Sequence, residues 1–144
     1  MLFGKRDRIV KRILIVEDEP LVAFDNETML CGLGYEVVAT LDSFDNAIER
    51  LAAEDVDLVL TDLRLAGDRT GLDLARAARQ RGVPTLFATG HELPEEAAGM
   101  AIGCLMKPYS ERTLGRALNS VDKHLSGKKT KPPRGMRLLK NNES

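Results

Sequence analysis

The chain has 144 residues with 43% hydrophobic and 30% charged side chains, a length that supports one domain with its own core and leaves no room for a second. Such a composition excludes a disordered chain, and no apolar run approaches the roughly 20 residues that cross a bilayer, so the expected location is the cytoplasm. The net charge of −1 hides an asymmetry: residues 1–12 carry five basic and one acidic side chain and residues 126–144 carry six and one, leaving ten basic against twenty acidic between them.

Residues 1–11 read as a basic amino-terminal extension. Arg12–Val16 is a short β-branched run, suited to a strand buried on both faces of a parallel sheet. Pro20 then pre-sets the first turn of a helix whose apolar positions Leu21, Phe24 and Leu30 are expected on one inward face, ending near Gly32 and Gly34. Glu36–Leu41 is the second strand. Ser43 caps a second helix through Ala53, with Phe44, Ala47, Ile48 and Leu51 at helical spacing.

Leu58–Thr61 is the third strand, and a third helix runs from about Gly71 to Arg81 with Leu72, Ala75 and Ala78 inward, stopped by Gly82 and Pro84. Thr85–Thr89 is the fourth strand. Pro94–Met100 has room for two helical turns, but Gly90, Gly99 and Gly103 weaken it, and a short or mobile fourth helix is expected. Cys104–Met106 forms a weaker fifth strand, and Ser110 caps a last helix to about Leu125.

Residues 126–144, with clustered lysines and a Pro-Pro pair, read as a basic, disordered tail with weak nucleic-acid contact as its only binding option. Cys31 and Cys104 lie in apolar segments and read as buried free thiols.

Strands alternating with helices imply an α/β flavodoxin-like doubly wound parallel sheet of five βα units, strand order 2-1-3-4-5, with its sites at the strands' carboxyl ends. Those ends carry unusual polar groups. The first ends in Glu17-Asp18-Glu19, the third in Thr61-Asp62, the fourth in Thr89-Gly90 and the fifth in Lys107-Pro108. Strand order 2-1-3-4-5 gathers them around one crevice, where clustered carboxylates repel unless a cation sits among them. All-oxygen ligands favour Mg²⁺ or Mn²⁺, and neither cysteine nor a histidine cluster is available for zinc. A carboxylate-held metal opposite a lysine and a hydroxyl suits a phosphoryl group, with Asp62 as the nucleophile.

At these residues the sequence resembles the receiver domains of two-component response regulators, over residues 12–125. The resemblance rests on ILIVEDEP, DLVLTDLRL, FATG and MKPY. It implies phosphorylation of Asp62, Mg²⁺ bound by Asp18, Asp62 and the backbone carbonyl of Arg64 with Glu17 assisting through water, and phosphoryl oxygens held by Lys107 and Thr89. The implied donor is a phosphohistidine on a sensor histidine kinase or phosphotransfer protein, and the implied unit is a monomer or weak dimer.

Thr85–Gly90 further resembles the "FAT GUY" receivers, often stand-alone regulators, although His91-Glu92 departs from that subgroup's hydrophobic-Tyr pair. Cys104 stands where receivers usually carry an aromatic that rotates inward with the threonine. The span between Thr89 and Lys107 is about one helical turn shorter than usual in the family. Arg64 and His91 occupy positions that tune phosphate lifetime in the family. His124 reads as a surface residue.

The function expected is a stand-alone receiver that signals through protein contacts or drains phosphate from its kinase, catalysing its own phosphorylation and dephosphorylation without being a conventional turnover enzyme. The alternative is a receiver-like module that binds without phosphate. A phosphatase of the haloacid-dehalogenase type needs an acid two residues after its nucleophile, where this chain has Arg64, and a dinucleotide-binding module needs a G-x-G-x-x-G that is missing after the first strand.

Overall fold

The computed structural model describes residues 8–139; the outermost parts of both predicted basic ends, residues 1–7 and 140–144, lie outside the described residues. Six strands form one sheet in the order β2-β1-β3-β4-β5-β6. The strands are β1 (Arg12–Val16), β2 (Glu36–Leu41), β3 (Leu58–Thr61), β4 (Thr85–Thr89), β5 (Gly103–Met106) and β6 (Met136–Leu138), and the helices are α1 (Pro20–Gly32), α2 (Phe44–Ala53), α3 (Gly71–Gln80) and α4 (Glu111–Leu125). Strands β1 to β5 are parallel, as the alternation of strands and helices predicts. Right-handed crossovers then place α1 and α4 on one face and α2 and α3 on the other.

Each face has its own core. Ile13, Ile15, Leu58, Leu60 and Leu86 pack with Leu30 of α1 and Leu114, Leu118 and Val121 of α4. Leu14, Val16 and Val59 pack with Ala47 and Leu51 of α2 and Leu74 and Ala78 of α3. Strands β1 and β3 alternate side chains between these two cores, while β4 sends Leu86 and Ala88 to the first and Phe87 to a third cluster with Ala75, Ala97 and Cys104, so nearly every residue in the three strands is buried.

Caps set several boundaries. Ser43 and Ser110 accept hydrogen bonds from the Asn46 and Thr113 amides, as expected for the starts of α2 and α4. At α3 the cap is Thr70, in a full capping box with Asp73. Gly71, the first residue of that helix, lies against the end of β3: its N–H donates to Leu63 O at 2.8 Å, and a Cβ there would fall 2.0 Å from Asp62 O. The predicted fourth helix is a 3₁₀ stretch, Glu95–Gly99, with Ala97 as its buried anchor.

Three expectations need correction. Leu21 and Phe24 of α1 do not face inward; they are 81% and 67% exposed, and the buried stripe is Ala23, Asn26 and Leu30. Tertiary context selects that stripe, because the Tyr109 hydroxyl donates to Asn26 Oδ1 at 2.7 Å and satisfies the buried amide. Leu72 packs inward as expected, partly buried against the cluster of Ala75, Phe87 and Ala97, and Leu74 joins it on α3. Cys31 is exposed; Cys104 is buried as expected.

The tail differs most. Residues 126–139 are folded, and β6 pairs antiparallel with β5 in the register Gly103↔Leu138, Cys104↔Arg137, Leu105↔Met136. Met136 enters the core beside Leu105, which a count of only three apolar residues in the tail undervalues. Gly103 makes room for this strand, since a Cβ there would fall 2.8 Å from Arg137 O. Gly135, at φ +91°, supplies the left-handed turn that starts it. The sheet is therefore mixed at its β6 edge.

Candidate functional site

The polar groups expected at the strands' carboxyl ends do converge. Continued ladder bonds hold them: Glu17 N–H donates to Leu41 O at 2.8 Å, Asp62 N–H to Val16 O at 3.2 Å, and Lys107 N–H to Thr89 O at 2.9 Å. The peptide bond from Lys107 to Pro108 is cis.

The Lys107 ammonium bridges two carboxylates, donating to Glu17 Oε1 at 2.5 Å and Asp62 Oδ2 at 2.8 Å. The second oxygen of Asp62 accepts the Leu63 amide at 2.6 Å, and that of Glu17 accepts the Glu19 amide at 3.2 Å. Asp62 is therefore oriented at both oxygens, and Glu17 is buried. Asp18 and Glu19 are exposed beside them. One carboxylate oxygen from each of Glu17, Asp18, Glu19 and Asp62 lies within 4.8 Å of the others.

Burial pushes the Glu17 carboxyl above its ordinary value, although the hydrogen bond from Lys107 opposes this. For Lys107 burial works downward, and its hydrogen bonds to Asp62 and Glu17 outweigh it to raise the ammonium. One ammonium faces four clustered carboxyl groups. An oxygen-only cluster with surplus negative charge and two exposed members fits Mg²⁺ or Mn²⁺, which keep several waters.

Thr89 is fully buried at the end of β4, and its Oγ1 accepts the His91 amide at 3.1 Å. No hydrogen bond joins its side chain to Lys107 or Asp62 among the described residues. The His91 imidazole and the Arg64 side chain are exposed, and among the described residues neither makes a hydrogen bond or ion pair with the carboxylates.

Cys104 lines a cavity of about 550 Å³ together with His91, Leu93, Met106 and Met136. Burial raises its thiol above the ordinary value. The space beside β5 thus lies next to the loop that follows Thr89.

Two contacts escaped the sequence reading. Tyr109 packs against the α1 and α4 core and is tied to Asn26, and burial raises its hydroxyl. A buried Asn on an otherwise apolar helical stripe was the available signal, and it was masked by the more hydrophobic Leu21 and Phe24. Gly71 starts α3 as expected, and its lack of a side chain also lets that helix abut Asp62.

Comparison with known proteins agrees with this geometry. The family model of the response regulator receiver domain matches residues 13–119. The sensory transduction protein LytR of Staphylococcus haemolyticus is 31% identical over 120 residues, covering 80% of this chain and 46% of that protein. The phyllosphere-induced regulator PhyR of Methylorubrum extorquens is 37% identical over 119 residues, covering 76% of this chain and 42% of that protein. The chain thus spans about half the length of these curated relatives. The solution structure of the BeF3-activated conformation of SdrG from Pseudomonas melonis superposes with a TM-score of 0.66 at 31% identity, covering 76% of this chain and 94% of that one.

Proposed function

The chain belongs to the response regulator receiver domains, and on that premise we propose that it accepts a phosphoryl group on Asp62 from a phosphohistidine of a sensor kinase or phosphotransfer protein. The observation that carries this reading is the double hold on Asp62, by Lys107 at one oxygen and the Leu63 amide at the other, inside a carboxylate cluster. A carboxylate oxygen of Asp62 attacks phosphorus as the P–N bond to the donor imidazole breaks, and the imidazole nitrogen leaves with the bonding pair. Lys107 passes from the carboxylate to a phosphoryl oxygen.

Asp18, Asp62 and the Arg64 carbonyl, with Glu17 through water, would hold Mg²⁺, and the ion when bound neutralises charge on the transferring oxygens. Thr89 has its oxygen occupied by the His91 amide, which leaves its O–H to donate to the phosphoryl group. Arg64 and His91, exposed at the rim, tune access of water to the acyl phosphate.

Leu21 and Phe24 lie exposed on α1 just past the acidic run and offer an apolar surface for the phosphodonor. No helix among the described residues is long and apolar enough to cross a membrane, and we place the chain in the cytoplasm as a stand-alone receiver of the FAT GUY subgroup. The TLFATG stretch supports that subgroup. The BeF3-activated state of SdrG supports phosphoryl switching.

Acetyl phosphate with Mg²⁺, read by intact mass, tests the assignment. A phosphoryl adduct is expected on the wild type and absent from Asp62→Asn. No adduct on the wild type, even from a purified cognate kinase, would replace this reading with a phosphate-independent binding module.

A further inference from the structure

The positive charge that the sequence concentrates near its end has a definite place in the fold. Arg116 and Lys123 stand two turns apart on the exposed face of α4, and Lys131 and Arg134 belong to the segment that folds back from α4 to β6. All four line one open cleft of about 530 Å³, walled by Pro132 and Pro133. The segment is fixed at both ends: the Thr130 hydroxyl donates to Ser120 Oγ at 3.0 Å, and Gly135 O accepts the Met106 amide at 2.8 Å. No acidic residue lines the cleft. Among the described residues none of the four cations makes an ion pair or a side-chain hydrogen bond.

Four like charges held around a space of small-molecule size repel one another, and a polyanion relieves that repulsion. We infer that this cleft binds a compact phosphoryl-rich anion of the polyphosphate class, with the guanidinium forks of Arg116 and Arg134 and the ammonium groups of Lys123 and Lys131 on its phosphoryl oxygens. Charge density favours phosphoryl groups over an acidic peptide, whose backbone spaces carboxylates by about 3.3 Å per residue or more. A single-stranded nucleic acid is disfavoured because no aromatic side chain lines the cleft to stack a base. Residues 13–125 also carry twenty acidic against ten basic side chains, so a long polyanion would meet repulsion beyond the cleft.

Calorimetric titration of the full chain with inorganic tripolyphosphate, ATP and a 20-nucleotide single strand tests this. Tripolyphosphate should bind once per chain, and Arg116→Gln/Lys123→Gln and Lys131→Gln/Arg134→Gln should each weaken it about tenfold or more. Lys11→Gln/Arg81→Gln, which removes the same charge elsewhere, should change affinity less than about twofold. The α4 pair is exposed and leaves both anchors of the tail intact, so its result stands even where the tail variant loosens β6. Tighter binding of ATP assigns the anion to a nucleotide, and equal binding assigns it to an inorganic chain. Indifference of tripolyphosphate to both cleft variants overturns the inference. So does equal weakening by the control pair, or binding of the oligonucleotide alone through these residues.

Discussion

The carboxyl ends of the central strands and the flank beyond β5 face different tasks. At the proposed phosphoacceptor, Glu17, Asp62 and Lys107 are locked by hydrogen bonds of 2.5 to 3.2 Å on the ends of strands buried on both faces. On the flank beyond β5 there is a 3₁₀ stretch in place of a helix, a thiol at position 104, a cavity of about 550 Å³ and a three-residue edge strand. Chemistry on a phosphoryl group needs fixed charges, which a stiff core supplies, whereas a surface that reports the phosphoryl state must have somewhere to move. The contrast predicts that substitutions at the first region remove phosphotransfer and that those at the second leave it intact.

The largest effect is expected at Lys107. Lys107→Ala removes the ammonium that bridges Glu17 and Asp62, and the rate of acetyl-phosphate labelling should fall about 10²- to 10³-fold, as for loss of a preorganised donor. Labelling within a few-fold of wild type would show that the lock on Asp62 is not what makes it reactive.

Gly71→Ala comes next. Its Cβ would sit 2.0 Å from Asp62 O, against backbone that has no free rotamer, so α3 must retreat from the end of β3. A loss of about 3 kcal/mol in urea denaturation is expected, at the upper end for overpacking. By contrast Leu21→Ser with Phe24→Ser should leave stability within about 0.5 kcal/mol, since both side chains are largely exposed. Transfer from the cognate kinase should drop about tenfold while acetyl-phosphate labelling holds, because an apolar contact is lost and the chemistry is not.

The same contrast explains what the sequence made legible. Strand boundaries and the convergence of Glu17, Asp18, Asp62 and Lys107 were readable, because buried parallel strands leave continuous apolar runs and a polar group at their ends stands out. Thr89 was placed correctly on β4, but its bond to the His91 amide depends on loop geometry that composition does not encode. The face of α1 was misread because a buried Asn26 is acceptable only when Tyr109, far along the chain, supplies its partner. Strand β6 was missed for a similar reason: Met136 and Leu138 are too few to signal a strand until Gly103 is known to lie open beside them. Long-range complementarity decided both cases.

Gly103→Ala probes that flank directly. The added methyl would meet Arg137 O at 2.8 Å, and β6 should detach at a cost of about 1 kcal/mol, with faster hydrogen exchange at the Met106 amide. Labelling of Asp62 should stay within about twofold of wild type. Loss of labelling would mean that the edge strand supports the phosphoacceptor and that the two regions are one unit.

The smallest effect concerns pH near Asp62. Asp73 closes the capping box of α3, and the Thr70 amide, outweighing burial, holds its carboxyl below the ordinary value, with Arg69 assisting. A carboxyl lowered on folding contributes stability that is present above its unfolded value near 3.8 and is lost as pH falls through the folded value. Asp73→Asn should therefore cost about 1 kcal/mol at neutral pH, the usual scale of a capping contact, and nothing below the folded value. Denaturation curves of the two proteins should converge on acidification. A constant gap at all pH values would place the contribution of Asp73 in packing and not in charge, and the first turn of α3, with Gly71 against Asp62, would owe its position to the core alone.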